Sequence, residues 1–136
     1  MASGLYAKTK KLMLDGDIDL LTDDLKCVLV DTADYTVDLA ADDYLADIAA
    51  GGRVATSGNL ATKATTGGVF DAADITFSAV TGDVCEALVI YKDTGDAATS
   101  PLIAYIDAAS SGLPVTPNGG DITVTWDSGA NKIFAL

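Results

Sequence analysis

The sequence predicts an all-β domain, a β-sandwich or jelly-roll-like barrel with one short helix. Three observations predict it. Residues 83–107 hold two nearly continuous apolar runs of strand length, Ala87 to Tyr91 and Leu102 to Ile106. Between them, Lys92 to Pro101 supplies turn chemistry: Gly for positive φ, Asp and Ser for local backbone bonds, Pro to stop pairing. Second, residues 74–79 and 121–126 alternate apolar and polar side chains, the period of a half-buried strand. Third, Glu86 is the only glutamate in a chain with 20 acidic residues. Glutamate suits helix surfaces, whereas aspartate suits turns and caps.

The elements follow in order. Residues 1–14 are basic and alternate poorly, so they are read as an arm or a first strand. Residues 15–136 are read as one β domain, since 136 residues suit a single core. Asp15-Gly16-Asp17 is a turn. Leu25 to Asp31 is a β-branched, apolar strand, and Asp34 to Ala41 a loop. Asp42 to Ile48 is the short helix, with Asp42 or Asp43 as cap and Gly51-Gly52 as stop. Arg53 to Thr56, Ala61 to Thr66 and Val69 to Asp71 are weak strands. Asp74 to Ala79 turns Ile75 and Phe77 to one face. After the central pair, Ser110 to Gly120 is a loop with two prolines. Asp121 to Trp126 turns Ile122, Val124 and Trp126 inward, and Lys132 to Leu136 is a closing strand. The inward set also contains Leu25, Val28, Val30, Leu88, Ile90, Leu102 and Ile106.

Charge narrows the function. Eight basic residues against 20 acidic ones give a net charge of −12, and the isoelectric point is near 4.1. Phosphate backbones and anionic lipid surfaces repel such a body, so neither nucleic acid nor membrane is an expected partner. Mean hydropathy is +0.31, yet no run reaches the roughly 20 apolar residues of a membrane helix. The lysines near the start lack the apolar stretch of a secretory signal. A chain made and kept without Sec-type export is expected, with Cys27 and Cys85 as free, buried thiols.

Catalytic chemistry is poorly represented. The chain has no histidine, which removes the usual general base and His-ligated zinc. No phosphate-cradling glycine motif occurs. Asp93-Thr94-Gly95 matches the aspartic-protease signature, in which two carboxylates share a proton. However, Lys92 precedes it and Asp96 follows, so a strand-end turn is the better reading. Asp15, Asp17, Asp19, Asp23 and Asp24 are oxygen ligands of the calcium type. Counted from Asp15, Leu20 and Lys26 stand where an EF-hand loop needs Gly and Glu. No catalytic residue, cofactor or metal is therefore expected. Tyr91, Tyr105 and Trp126 lie in strands and read as core. The candidate partner-binding residues are Tyr6 and Tyr35, which lie outside clear strands, and Lys8, Lys10 and Lys11, the one basic cluster.

One resemblance bears on biology. The runs VIYKDTG (89–95), TSPLIAYID (99–107), GGDITVTWD (119–127) and NKIFAL (131–136) resemble a group of small proteins encoded by tailed bacteriophages and prophages. Members carry a similar KVxLVDT-type strand, a short Asp-Tyr helix and an FDADD-like turn. Here these correspond to Lys26 to Thr32, Asp43 to Asp47 and Phe70 to Asp74. The similarity covers most of residues 20–136 and contains no catalytic signature. It implies a virion structural protein, with capsid decoration or cement on the outer head surface the most natural role. The implied partners are the major capsid protein or other virion proteins, with assembly as a homo-oligomer such as a trimer. A neck, connector or tail-attached protein, or a fibre binding module, is the alternative.

Overall fold

The computed structural model describes residues 4–107, 113–126, 128–130 and 132–136. Its centre is an open five-stranded antiparallel sheet with spatial order β1-β7-β6-β2-β3. The strands are β1 (Gly4–Leu5), β2 (Leu25–Val30), β3 (Arg53–Thr56), β6 (Ala87–Lys92) and β7 (Leu102–Ile106). Two smaller antiparallel pairs complete the fold: β4 (Val69–Phe70) with β9 (Phe134–Ala135), and β5 (Ile75–Phe77) with β8 (Ile122–Val124). One α-helix, α1 (Ala7–Asp15), follows β1. The architecture is all-β and sandwich-like. The large sheet keeps two edge strands, and no closed barrel forms among the described residues.

The apolar runs of β2, β6 and β7 are explained by burial on both faces. Alternate residues of a strand point to opposite sides of its sheet. Leu25, Cys27 and Leu29 of β2 and Leu88 and Ile90 of β6 face a core shared with Phe70, Ile75, Phe77, Ile122, Val124 and Trp126. Val28, Val30, Ala87, Val89 and Tyr91 face a second core, closed by Tyr6, Tyr35, Val37, Leu45 and Ile48. A sheet covered on both sides needs no polar alternation, which is why these strands read as unbroken apolar runs.

A β-bulge adapts β7 to this arrangement. Ile90 pairs with Ala104 and Tyr91 with Leu102, leaving Ile103 as the extra residue. Ile103 and Ala104 consequently both join the first core. The carbonyl of Ile103 accepts the Tyr6 N–H at 3.1 Å. A second bulge inserts Val54 between the Leu29–Ala55 and Val30–Arg53 pairs.

Turns owe their shape to aspartate. The carboxylates of Asp19, Asp31, Asp38, Asp93 and Asp96 each accept the backbone N–H two residues on, at 2.8–3.0 Å. This is the Asx-turn, in which a side chain stands in for a backbone carbonyl.

The expected strands at 25–31, 53–56, 69–71, 74–79 and 121–126 and the central pair are present, some shorter than read. Each residue of the predicted inward set is buried, although the set divides between two cores. Both cysteines are free and buried. Three readings need correction. Of residues 1–14, the described ones are more than an arm or a first strand: Gly4–Leu5 is a strand paired with β7, and Ala7 begins α1. The helix read at Asp42 to Ile48 is a single 3-10 turn, Leu45–Asp47. Its neighbours join the sheet instead, with Tyr44 bridging Pro101 and the Leu102 N–H bonding the Asp43 carbonyl at 3.0 Å. Residues 61–66 form no strand: Ala64 pairs with Asp71, and the Ala61 carbonyl accepts the Ala73 N–H at 2.9 Å. Part of the predicted loop at 110–120 lies outside the described residues.

Leu88 is fully buried in the first core. Leu88→Ala should lower unfolding free energy by about 2–5 kcal/mol in urea titration. Thr125→Ala, exposed beside β8, should change it by less than about 0.5 kcal/mol. Equal effects would contradict the assigned core.

Candidate functional site

The five residues read as a partner-binding group divide into two sets. Tyr6 and Tyr35 are buried, at 0% and 5% exposure. Their hydroxyls meet at 2.9 Å, and the Tyr35 hydroxyl donates to Asp42 Oδ2 at 2.7 Å. The same carboxylate oxygen accepts the Asp38 N–H at 2.9 Å. This chain of bonds ties the residue before α1 to the loop at 34–43, closing the second core. Burial, first of all, pushes both tyrosine pKa values well above the ordinary range.

The lysines do not act as one cluster. Lys8 reaches toward Asp43, at 4.0 Å, and lies 5.4 Å from the centre of the Tyr44 ring. It bridges α1 to the 3-10 turn. Lys11 pairs with Asp15 one helical turn on. Lys10 is exposed and has no ion pair among the described residues.

The other acidic motifs are occupied by structural tasks. In the Asp-Thr-Gly sequence, Asp93 pairs with Lys26 at 2.8 Å and accepts the Gly95 N–H at 3.0 Å. The Lys26 bond, above all, holds the Asp93 carboxyl below its usual range. A proton-sharing pair instead needs a second carboxylate where Asp93 has the Lys26 ammonium. Among the calcium-type residues, Asp19 accepts the Leu21 N–H at 2.9 Å, Asp23 pairs with Lys92 at 3.1 Å, and Asp15 takes Lys11. A different carboxylate group, Asp31, Asp34 and Asp83, brings one oxygen from each residue within 4.8 Å of the others. Asp31 is buried and bonded to its own turn, while Asp34 and Asp83 are exposed. The wide sequence separation of these three gave no signal in advance.

The surface feature that sequence reasoning missed is apolar. Leu14, Leu136 and Leu21 are 89%, 73% and 49% exposed. They gather at one end of the molecule, around the C-terminal half of α1. Two shallow depressions meet there: Met13 and Leu136 line both, Leu21 lines one, and Lys10 and Leu14 line the other. The available signal was helical spacing. Lys10, Met13 and Leu14 stand at i, i+3 and i+4, which share a helix face. No helix among the described residues is long and apolar enough to cross a membrane.

No family model and no curated protein matches the chain.

The buried tyrosines make a pH prediction. Their folded-state pKa values lie above those of the unfolded chain, so their stabilisation is complete below about pH 10 and declines as pH rises beyond it. Each such tyrosine then removes up to about 1.4 kcal/mol per pH unit. Urea titrations between pH 7 and 11 should show a plateau and then a fall. Tyr35→Phe should cost about 1–2 kcal/mol at pH 7 and flatten the alkaline fall. An unchanged alkaline slope would contradict the role given to Tyr35.

Proposed function

We propose that the protein is a bacteriophage virion structural protein, a decoration or cement protein on the outer head surface. The major capsid protein or another virion protein is its partner. The observation that carries this reading is the resemblance of residues 89–107 to small phage proteins. That stretch supplies β6 and β7, the middle of the sheet. Physical features support it. Most Asp side chains serve turns and ion pairs, the economy of a protein whose task is to fold and pack. The body carries a net charge of −12, which discourages adhesion to packaged or host nucleic acid. Its apolar end is suited to a molecule that works within an assembly. On this reading the chain is made in the host cytoplasm and resides in the virion.

Quantitative mass spectrometry of purified particles from the encoding phage or prophage tests the proposal. A decoration protein should be present at hundreds of copies per head. One ring's worth of copies would assign it to a neck, connector or tail position. Fibre-associated copies would favour a binding module. Absence from the particle would overturn the virion reading altogether.

A further inference from the structure

The chain has three asparagines, Asn59, Asn118 and Asn131, and no glutamine. Only Asn118 is followed by glycine. Asparagine before glycine is the pair most prone to deamidation. The backbone nitrogen of the next residue must attack the side-chain amide carbon, and glycine has no Cβ to obstruct it. Asn118, Gly119 and Gly120 are all exposed, so water reaches the amide. Asn118 Oδ1 accepts the Gly120 N–H at 2.9 Å, an Asx-turn that holds the side-chain amide against its own backbone.

The nucleophile, in contrast, is restrained. The Gly119 N–H donates to the Val80 carbonyl at 2.7 Å. Val80 is buried in the first core, which fixes the acceptor. The Val80 N–H returns a bond to the Gly120 carbonyl at 3.0 Å, and the Ala79 N–H donates to Asp121 Oδ1 at 2.9 Å. These three bonds clamp residues 79–80 to 119–121, just beyond the Phe77–Ile122 pair of β5 and β8. Gly119 has φ 88°, a left-handed conformation that glycine adopts without strain. The turn thus requires glycine at the one position where it makes the asparagine reactive. Asn59 lacks this combination. Buried Leu60 follows it, with its N–H bonded to the Leu25 carbonyl at 2.8 Å, and Asn59 Nδ2 donates to Asp24 Oδ1 at 3.3 Å. Asn131 lies outside the described residues.

We propose that Asn118 is a site of spontaneous deamidation gated by this clamp, slow while the Gly119–Val80 bond is closed and fast once local opening frees the Gly119 nitrogen. The site needs no virion component and stands apart from the function proposed above. In the open form the Gly119 nitrogen loses its proton to hydroxide, and its electron pair forms a bond to Asn118 Cγ. The Cγ–Nδ2 bond breaks, and the amide nitrogen takes up a proton and leaves as ammonia. A five-membered succinimide remains. Water then opens either of its two carbonyls, giving aspartate or isoaspartate at 118. Each product adds one carboxylate to an already acidic body. The isoaspartate also lengthens the main chain by one carbon, which displaces Gly119 from Val80 and keeps the clamp from closing again.

Incubation of the full chain at mildly alkaline pH, followed by peptide mass spectrometry and assay of released ammonia, tests the proposal. Native protein is compared with protein unfolded in guanidinium chloride. The peptide containing residue 118 should gain one mass unit in both. The native rate should be lower by at least about tenfold, equivalent to about 1.4 kcal/mol, because the attacking nitrogen must first give up its bond. Asn118→Ser keeps an oxygen acceptor for the Gly120 N–H and should remove most of the ammonia released by the unfolded chain. Asp121→Ala, with circular dichroism to verify folding, should speed the native reaction several-fold and leave the unfolded rate unchanged. Equal native and unfolded rates would overturn the gate, as would a native rate indifferent to Asp121→Ala. An unfolded chain that keeps Asn118 intact would overturn the site, as would ammonia release unaffected by Asn118→Ser. If Asp121→Ala misfolds, the comparison of native with unfolded rates decides the matter.

Discussion

Burial of the β2–β6–β7 sheet on both faces is the constraint on which the rest of the structure depends. A sheet covered on one side can keep its other side wet and polar. Here Leu88 and Ile90 look one way, Val89 and Tyr91 the other, and all are buried. The chain must therefore supply two covers. The small pairs β4–β9 and β5–β8 provide one, with Phe70, Phe77, Val124 and Trp126. The second is made by the segment between β2 and β3, together with Tyr6. It has little regular structure of its own and so depends on specific polar bonds, of which the Tyr6–Tyr35–Asp42 chain is the most deeply placed.

Aspartate resolves the tension between so apolar an interior and so many reversals of direction. The strands are short, and each connection must satisfy its own backbone groups near the surface. Asx-turns at Asp19, Asp31, Asp38, Asp93 and Asp96 do this locally. Asp47 does it in reverse, accepting the N–H groups of Asp43 and Tyr44 at 2.7 and 2.9 Å. The acidity of the protein is thus largely a by-product of turn construction. Lysines at the sheet margin, Lys26 and Lys92, offset part of it by pairing with Asp93 and Asp23.

The strands were legible in the sequence because their period and composition follow directly from burial. Ile75 and Phe77 alternate with exposed neighbours, and β6 is apolar throughout for the reason given above. Helix α1 was not legible. Its charges oppose the dipole and it lacks a side-chain cap, so the usual start signals are missing. Tertiary contacts hold it in place: Leu12 and Met13 pack on the first core, and the Ala7 N–H bonds the Leu39 carbonyl at 2.8 Å. Gly16 marked its end and was read only as part of a turn. Tyr6 and Tyr35 were misplaced at the surface because they lie outside strands. Their burial comes from a fold-back that only the tertiary structure reveals. The apolar end at Leu14 followed the helix into obscurity, since a face exists only once the helix does.

Native-state hydrogen exchange tests the doubly covered sheet most directly. If both covers are integral, amides of β2, β6 and β7 should exchange only through global unfolding. The Tyr35 and Ile48 region should be protected to a similar free energy, and the exposed end of α1 should open more readily. Rapid exchange through residues 31–52 while the sheet remains fully protected would show that the second cover is a loose appendage, contradicting the central place given to it here.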